Sequence, residues 1–392
     1  MSQSFHPPQR TLLGPGPSDV NPRILEALSR PTIGHLDPAF IGMMDELKKL
    51  LQFAFQTQNE LTFPVSAPGS AGMETAFVNL IERGDKVIIC QNGVFGGRMR
   101  ENAERCGAKV VMVQDDWGEA IDLKKVEEAL DQNSDAKILA FVHAETSTGV
   151  RSDAQGLCAL ARKFGCLTIV DAVTSLGGID INVDDWGVDA IYSGTQKCLS
   201  CVPGLSPVSF SEKAAHAIKS RKLPVQSWFL DMSLVMGYWS TQSKRSYHHT
   251  APVNSLYALH ESLLILQEEG LSSAWSRHRI HHEALVAGLE SLGLTFVVQP
   301  KDRLPQLNLV RFPEGINESE ARQFLLENYN LEIGSGLGPL AGDVWRIGLM
   351  GFGSNKRNVL LCLTAIGSAL RFQGRSLDLP SALESAESVY RK

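Results

Sequence analysis

Short apolar runs rich in β-branched residues alternate with segments of helical periodicity along the first two thirds of the chain. The apolar runs predict strands at Lys86–Cys90, Lys109–Val113, Lys137–Val142 and Leu167–Asp171. Helices are predicted between such runs, for example at Asp122–Leu130 and Ala154–Lys163. Strands that are apolar along their whole length and alternate with helices are typical of a mainly parallel sheet covered on both faces. The predicted fold class is therefore α/β.

The pattern changes at about residue 271. A long helical segment, Ser273–Leu292, is followed by short strands and further helices that read as a smaller α+β unit. A chain of 392 residues also exceeds the usual size of a single hydrophobic core. We therefore expect an N-terminal arm at 1–10, a large domain at 11–270 and a small C-terminal domain at 271–392.

The composition is that of an ordinary globular protein, with 43% hydrophobic and 20% charged residues and a formal net charge of −6. This charge gives no reason to expect nucleic acid or an anionic membrane surface as a partner. The best apolar run, Leu360–Leu370, is too short to span a bilayer and is interrupted by polar residues. Neither end shows a signal peptide or a Ser-Lys-Leu peroxisomal address, so we expect a cytoplasmic protein.

Some cysteine and histidine spacings are similar to those of metal or redox sites. The seven cysteines are an odd number in a long chain, which favours reduced core thiols. Cys198 and Cys201 form a C-x-x-C without a second pair, so packing around the neighbouring lysine is the favoured interpretation. His278, His281 and His282 have a spacing that can bind metal, but flanking arginines favour an exposed polar face. We expect no metal site.

Two polar side chains stand at the ends of apolar strands. Asp171 ends the run Leu167–Asp171, and Lys197 ends the run Val188–Lys197. Ligands of open α/β sheets collect beyond the carboxyl ends of strands, so both side chains should point into one crevice. Pyridoxal 5′-phosphate needs a lysine for a Schiff base and an acid at its ring nitrogen, so the pair predicts this cofactor. Taken singly, Lys197 could reach solvent and Asp171 could cap a helix.

Three other segments are candidates for contacts with cofactor and substrate. Ala67–Phe77 places small residues and a hydroxyl at a predicted helix N-terminus, which suits a phosphate. It has neither the dinucleotide-binding nor the Walker A spacing. Phe95 follows a strand and could stack on the cofactor ring or belong to the core. Arg346 could bind a carboxylate bidentately or form an ordinary surface ion pair.

Several motifs together resemble the class V aminotransferases, in order from about residue 11 to residue 370. The matching segments are Leu13–Pro17, His143–Gly149, Val170–Asp171, Tyr192–Lys197, Tyr247–Thr250 and Trp345–Gly348. Within that family the chain is most similar to the alanine–glyoxylate and serine–pyruvate aminotransferases. The Tyr-His-His-Thr segment is more specific than any of the glycine turns.

The resemblance implies a homodimeric pyridoxal 5′-phosphate enzyme of fold type I, with a mainly parallel seven-stranded sheet in its large domain. Lys197 would carry the Schiff base and shuttle a proton, Asp171 would pair with the ring nitrogen, and Arg346 would bind the substrate α-carboxylate. The implied phosphate contacts are Gly69, Ser70 and Gln196 from one subunit and Tyr247 and Thr250 from the partner, and the other implied contacts are Thr146 beside the cofactor and Gly16 in the wall of the substrate pocket.

Two positions depart from the family pattern. Phe95 stands where the animal enzymes have a tryptophan, so stacking is expected without the N–H donor. Pro68–Ser70 replaces a Ser-Gly-His sequence, which changes the side chains available at the phosphate.

The expected reaction is transamination between a small amino acid, alanine or serine, and a small 2-oxo acid, glyoxylate or pyruvate. Alternatives within the family are a serine–glyoxylate or phosphoserine-type aminotransferase and a cysteine desulfurase-like lyase. A desulfurase needs a cysteine near the carboxylate-binding arginine, and no cysteine lies between Leu331 and Arg346. A non-catalytic binding protein on the same fold is the alternative from another class.

Overall fold

The computed structural model describes residues 3–239 and 245–391. Met1 and Ser2 of the expected arm and Lys392 of the expected small domain lie outside the described residues. The first elements are β1 (Thr11–Leu12), α1 (Pro22–Leu28), α2 (Pro38–Phe55), β2 (Leu61–Val65), α3 (Gly69–Leu80), β3 (Lys86–Gln91), α4 (Val94–Arg105), β4 (Lys109–Gln114), α5 (Leu123–Gln132), β5 (Ile138–Val142), β6 (Ala144–Glu145), β7 (Val150–Arg151), α6 (Ala154–Lys163), β8 (Leu167–Asp171), α7 (Val183–Trp186) and β9 (Ala190–Tyr192).

The chain continues with an antiparallel strand, three helices and a second α+β layer. The elements are β10 (Ser206–Phe210), α8 (Glu212–Lys219), α9 (Met232–Trp239), α10 (Val253–Glu269), α11 (Leu271–Ser291), β11 (Thr295–Phe296), β12 (Leu307–Arg311), α12 (Glu318–Tyr329), β13 (Leu331–Glu332), β14 (Gly334–Ser335), β15 (Val344–Gly348), α13 (Lys356–Phe372) and α14 (Leu379–Tyr390). Short 3₁₀ turns lie at Pro300–Asp302, Gly338–Leu340 and Gly351–Gly353.

A seven-stranded sheet in the order β2-β10-β9-β8-β5-β3-β4 forms the centre of the molecule. Neighbouring strands from β9 to β4 run parallel, and β10 is antiparallel to both of its neighbours. The prediction of a mainly parallel seven-stranded sheet is confirmed. Apart from the edge strand β4, the strands are buried along most of their length because helices cover both faces, as the continuous apolar runs indicate.

The strand predicted to end at Lys197 is the main error in the predicted elements. β9 ends at Tyr192, and Lys197 lies five residues further on in the loop to β10. β8 stops at Asp171, so β9 loses its parallel partner after Tyr192. Beyond that point Ser193 N–H bonds to Pro207 O at 2.8 Å, and the chain turns toward the antiparallel strand.

A four-stranded antiparallel sheet, in the order β11-β12-β15-β14, forms the second layer together with α11 to α14. Its core is separate from that of the large sheet and includes Trp345 and Leu363. Leu13 also belongs to this core, because β1 pairs with β13. Gly270 separates α10 from α11, and the division of the chain into domains at that point stays a prediction.

The histidines of α11 do not form the expected exposed face. His278 is fully buried; its Nδ1 lies 2.7 Å from Ala274 O, and its Nε2 accepts a hydrogen bond from Gly351 N–H at 2.9 Å. His281 and His282 contact Tyr390 and Asn308. No group of ligands that could hold a metal ion occurs in residues 3–239 and 245–391.

Cys198 and Cys201 are buried, and burial raises the pKa of each thiol to about 12. Neither forms a disulfide. Among the described parts of the chain, no helix has both the length and the apolarity to cross a membrane.

Candidate active site

The carboxyl ends of β5, β8 and β9 meet at one edge of the large sheet. The parallel register places Val142 opposite Asp171 and Asp171 opposite Tyr192. The segments that follow these strands therefore leave the sheet side by side, with His143–Gly149 on one side of Asp171 and the Lys197 loop on the other. This edge is where open α/β sheets bind their ligands.

Lys197 is buried in this crevice beneath the N-terminal segment. Its Nζ donates a hydrogen bond to Pro15 O, and Ser18 Oγ donates to the Lys197 carbonyl at 2.7 Å. Burial lowers the pKa of Lys197 to about 8, and the charge of Arg346 acts in the same direction. A fraction of the amine is therefore unprotonated near neutral pH and able to attack a carbonyl carbon.

Asp171 ends β8 and is buried beside the same crevice. One carboxylate oxygen accepts the Val173 N–H and the other accepts the Tyr192 hydroxyl, each at 2.8 Å. Burial nevertheless raises the pKa of Asp171 to about 7, since it outweighs both hydrogen bonds. A protonated ring nitrogen beside this carboxylate would compensate its charge, so the acid fits the role predicted for it.

The N-terminus of α3 forms a cup suited to a phosphate. Pro68 provides no side-chain cap, and within the described residues the N–H groups of Gly69 and Ser70 have no acceptor. The Oε1 atom of Gln196 is also buried without a partner, and turning that amide would present its Nε2 donor instead. Gly69 and Gln196 both pack against Gly194, so the three predicted phosphate residues lie together.

Unused donors beside a buried lysine and a buried acid match the groups of pyridoxal 5′-phosphate. Val173 connects the phosphate cup with the buried acid, because its N–H donates to Asp171 and its methyl groups lie against Gly69 and Gly194. The residues present therefore fit this cofactor.

Arg346 lies in β15 and reaches the crevice from the second layer. Its Nε donates to Ser335 O at 2.7 Å, and its Nη1 lies 3.4 Å from Thr146 O. These contacts fix the guanidinium plane and leave Nη2 without a partner in the described part of the chain. The alternative of an ordinary surface ion pair does not apply, because Arg346 is buried.

Gly16 closes the crevice above Lys197. It has a φ of +104°, and a Cβ at this position would lie 2.5 Å from Lys197 Nζ. Pro15 packs against Gly334, next to Arg346. The N-terminal turn therefore forms a wall between the lysine and the arginine, where the substrate pocket was predicted.

Phe95 and Thr146 lie at the border of the crevice. Phe95 is half-buried at the start of α4, and the guanidinium carbon of Arg98 lies 4.8 Å from its ring centroid. The Thr146 hydroxyl is 3.2 Å from that of Thr174. Their contacts with the cofactor stay predictions.

Tyr247 and Thr250 are the predicted residues that the structure does not bring to the crevice of their own chain. Tyr247 is 63% exposed, and its hydroxyl lies 3.5 Å from that of Thr250. Within the described residues, neither side chain forms a hydrogen bond to the residues around Lys197. Their action across a subunit interface stays a prediction.

Glu145 is a buried member of the site that the sequence analysis did not single out. Its charge acts on Lys197, Asp171 and Arg346. The signal available in the sequence was its place in the polar segment that follows β5, next to Thr146. An acid at such a position can equally be exposed, so its burial became evident only from the structure.

Comparison with known proteins gives consistent results over most of the chain. Residues 27–341 match the family described as aminotransferase class-V. The chain is 42% identical over 373 residues to alanine–glyoxylate aminotransferase of Rattus norvegicus, covering 95% of this chain and 90% of that protein. It superimposes on ureidoglycine–glyoxylate aminotransferase from Bacillus subtilis with a TM-score of 0.97 at 38% identity, covering 100% of both chains. The TM-score with alanine–glyoxylate aminotransferase from Nostoc sp. is 0.92 at 45% identity, covering 95% of this chain and 98% of that one.

Gly16→Ala should disable the site while leaving the fold intact. The new Cβ would lie within 2.9 Å of Lys197 Nζ, Cδ and Cε, and the positive φ adds strain. We expect cofactor affinity, measured by absorbance titration, to fall at least about tenfold. Gly34→Ala is the control, since a Cβ there meets no atom within 4 Å. Equal affinities for the two variants would contradict the assigned wall.

Asp171→Asn should make the cofactor-free protein more resistant to alkaline pH. The folded-state pKa of about 7 lies above the ordinary value of 3.8, so the neutral acid stabilises the fold at low pH and this stabilisation is lost as pH rises through about 7. Between about pH 5.5 and 8.5 the wild type should lose about 2 kcal/mol of unfolding free energy relative to the variant. Urea unfolding at both pH values measures this difference, and parallel losses would show that Asp171 is not buried as a titrating acid.

Proposed function

The chain belongs to the class-V aminotransferases, and from that membership we propose that it transfers the amino group of alanine or serine to glyoxylate or pyruvate. The predicted fold type I and the predicted pyridoxal 5′-phosphate dependence are confirmed by its relatives. The chain is therefore a pyridoxal 5′-phosphate-dependent enzyme. The particular substrates are the proposal.

The observation that supports small substrates is the short distance between the N-terminal wall and Lys197. Backbone atoms of Pro15 and Gly16 lie directly against the lysine amine, so little volume remains for a substrate side chain. After the hydrogen of glycine, the methyl group of alanine and the hydroxymethyl group of serine are among the smallest side chains of amino acids. Alanine and serine therefore fit this wall better than larger donors.

Each residue of the site has a role in the proposed reaction. When bound, pyridoxal 5′-phosphate supplies a carbonyl carbon that receives the amino group and a ring that accepts the electrons of the Cα–H bond. Lys197 Nζ would take the proton from the substrate Cα and deliver it to the carbonyl carbon of the cofactor. Asp171 would hold the protonated ring nitrogen. Arg346 binds the α-carboxylate and thereby places the Cα–H bond next to Lys197.

A second donor is supported by the relative from Bacillus subtilis, which is named for (S)-ureidoglycine and glyoxylate. Glyoxylate is named for this enzyme and for the alanine–glyoxylate aminotransferases alike. It is therefore the acceptor that we favour over pyruvate. (S)-Ureidoglycine is the alternative donor, and it requires more room beside Gly16 than alanine does.

We also propose that the enzyme is a homodimer in which Tyr247 and Thr250 complete the phosphate cup of the partner subunit. Both are exposed in one chain. Trp228, which is 62% exposed, stacks on His248 at a ring separation of 4.5 Å and extends the same surface. A second copy would cover these aromatic side chains. The cytoplasmic location expected from the sequence stays a prediction.

The donor is tested by the absorbance change of the cofactor-loaded enzyme when one amino acid is added without an acceptor. We expect alanine or serine to convert the visible band and phosphoserine to leave it unchanged. Conversion by (S)-ureidoglycine alone would establish the alternative donor. Lys197→Ala should lower turnover at least about a thousandfold, whereas the exposed Lys219→Ala should not. A Lys197→Ala variant with near-normal turnover would exclude the proposed mechanism.

The shared site is tested by mixing two inactive variants. Lys197→Ala supplies intact Tyr247 and Thr250, and the Tyr247→Ala/Thr250→Ala variant supplies an intact lysine. After unfolding and refolding together, hybrid dimers should restore about a quarter of wild-type turnover, because half of the dimers then hold one complete site. Turnover no greater than the sum of the separate variants would show that each site is built from one chain.

A further inference from the structure

Glu145 is a fully buried carboxylate, 0% exposed, at the end of β6. One oxygen accepts the Ser147 N–H at 3.0 Å and the Ser147 hydroxyl at 2.6 Å. The other accepts the Phe95 N–H at 3.2 Å. Within the described residues it forms no ion pair with lysine, arginine or histidine. A buried charge held only by neutral donors requires an explanation.

The same turn caps the helix that carries Phe95. α4 begins after Gly93, which has no side chain to cap it, and Ser147 Oγ instead accepts the Val94 N–H at 2.9 Å. Glu145 accepts the next amide, that of Phe95. Gly93 has to remain a glycine, since a Cβ there would lie 2.5 Å from Glu145 Cδ.

The hydrogen bonds favour the ionised form of Glu145. The N–H groups of Ser147 and Phe95 can only donate to its oxygens, and the Ser147 hydroxyl, which accepts the Val94 N–H, is placed to donate as well. Burial raises the pKa of Glu145, whereas the hydrogen bonds from Ser147, Phe95 and Gly96 oppose that rise. The positive end of the α4 dipole also favours a negative charge at this place.

The charged and titratable groups around Lys197 are few. Asp171, Glu145 and Cys198 favour its cationic form, and Arg346 opposes it. Tyr192 faces both acids. Cys198 carries no charge near neutral pH, because burial raises the pKa of its thiol. Since Asp171 would be paired with the cofactor ring, Glu145 is left as the one uncompensated anion among these groups.

We propose that Glu145 is a positioning residue of the active site, which fixes the start of the Phe95 helix and supplies a negative charge to the crevice of Lys197 and Arg346, next to the Thr146 carbonyl that contacts Arg346. This inference rests on the proposed function, because it concerns the nitrogen of Lys197 when the cofactor is bound. The negative charge favours the protonated form of that nitrogen. The hydrogen bond from the Phe95 N–H to Glu145 also fixes the position of Phe95 at the border of the crevice.

Spectrophotometric pH titration of the cofactor-loaded enzyme tests the electrostatic role. The midpoint of the visible absorbance change reports protonation of the nitrogen at Lys197. In Glu145→Gln this midpoint should fall by about one pH unit, because the anion that favours the proton is removed. The control is Glu101→Gln, which removes an exposed carboxylate from the same helix, α4. It should leave the midpoint within about 0.3 units of wild type.

The positioning role has its own test, which also decides the matter if Glu145→Gln does not fold. Glu145→Asp keeps the charge but is too short to reach the Phe95 amide. Its cofactor affinity, measured by absorbance titration, should fall about fivefold, as it should in Phe95→Leu. Unchanged affinity in the aspartate variant would overturn the positioning role.

The outcomes separate this inference from the proposed function. A wild-type enzyme without a visible cofactor band would contradict the proposed function itself. A wild type that titrates normally, together with a folded Glu145→Gln variant of the same midpoint, would overturn the electrostatic role of Glu145 alone.

Discussion

The in-register parallel pairing of β8 with β5 and β9 determines where each polar group of this enzyme lies. It places Asp171 between two strands that end at the same level, and the Tyr192 hydroxyl reaches the carboxylate from the neighbouring strand. All three chain segments must then leave the sheet at one edge, because helices fill both faces. A shift of one strand by a single residue would turn Asp171 toward the opposite face and separate it from Lys197. The crevice is thus a consequence of strand register before any side chain is considered.

The site brings two basic and two acidic side chains together in one buried place. Lys197 and Arg346 are the bases, Asp171 and Glu145 are the acids, and each is at most 9% exposed. In the protein alone, burial moves the pKa of both Asp171 and Lys197 toward neutrality. Ligands that carry a positive ring nitrogen and negative phosphate and carboxylate groups restore the charged forms, since each then has an opposite partner. The charged forms of these side chains are therefore more stable when the ligands are bound than in the protein alone.

Much of this arrangement could be predicted from the sequence. The bounds of β8 and α6 agree with the predicted ones, since each is a local run whose own periodicity defines its ends. The predicted end of the β9 strand was wrong because β9 ends where its neighbour β8 stops. A local pattern of residues contains no information about that neighbour. Lys197 and Asp171 could be identified from their chemistry alone, whereas the importance of Glu145 depends on burial and donors that arise only in three dimensions. The proposed role of Tyr247 concerns a contact with a second subunit, which a single chain does not contain.

The N-terminal strand has a consequence for the order of assembly. Leu13 N–H bonds to Glu332 O at 2.9 Å, and Gly348 N–H bonds to Leu13 O at 2.8 Å. The wall above Lys197 is therefore held by residues more than three hundred positions later in the chain. During synthesis on the ribosome, the segment around Leu13 must wait for β13 and β15 before it can take its place. The crevice is completed only after those strands have been made, so a nascent chain exposes its reactive lysine until the second layer forms.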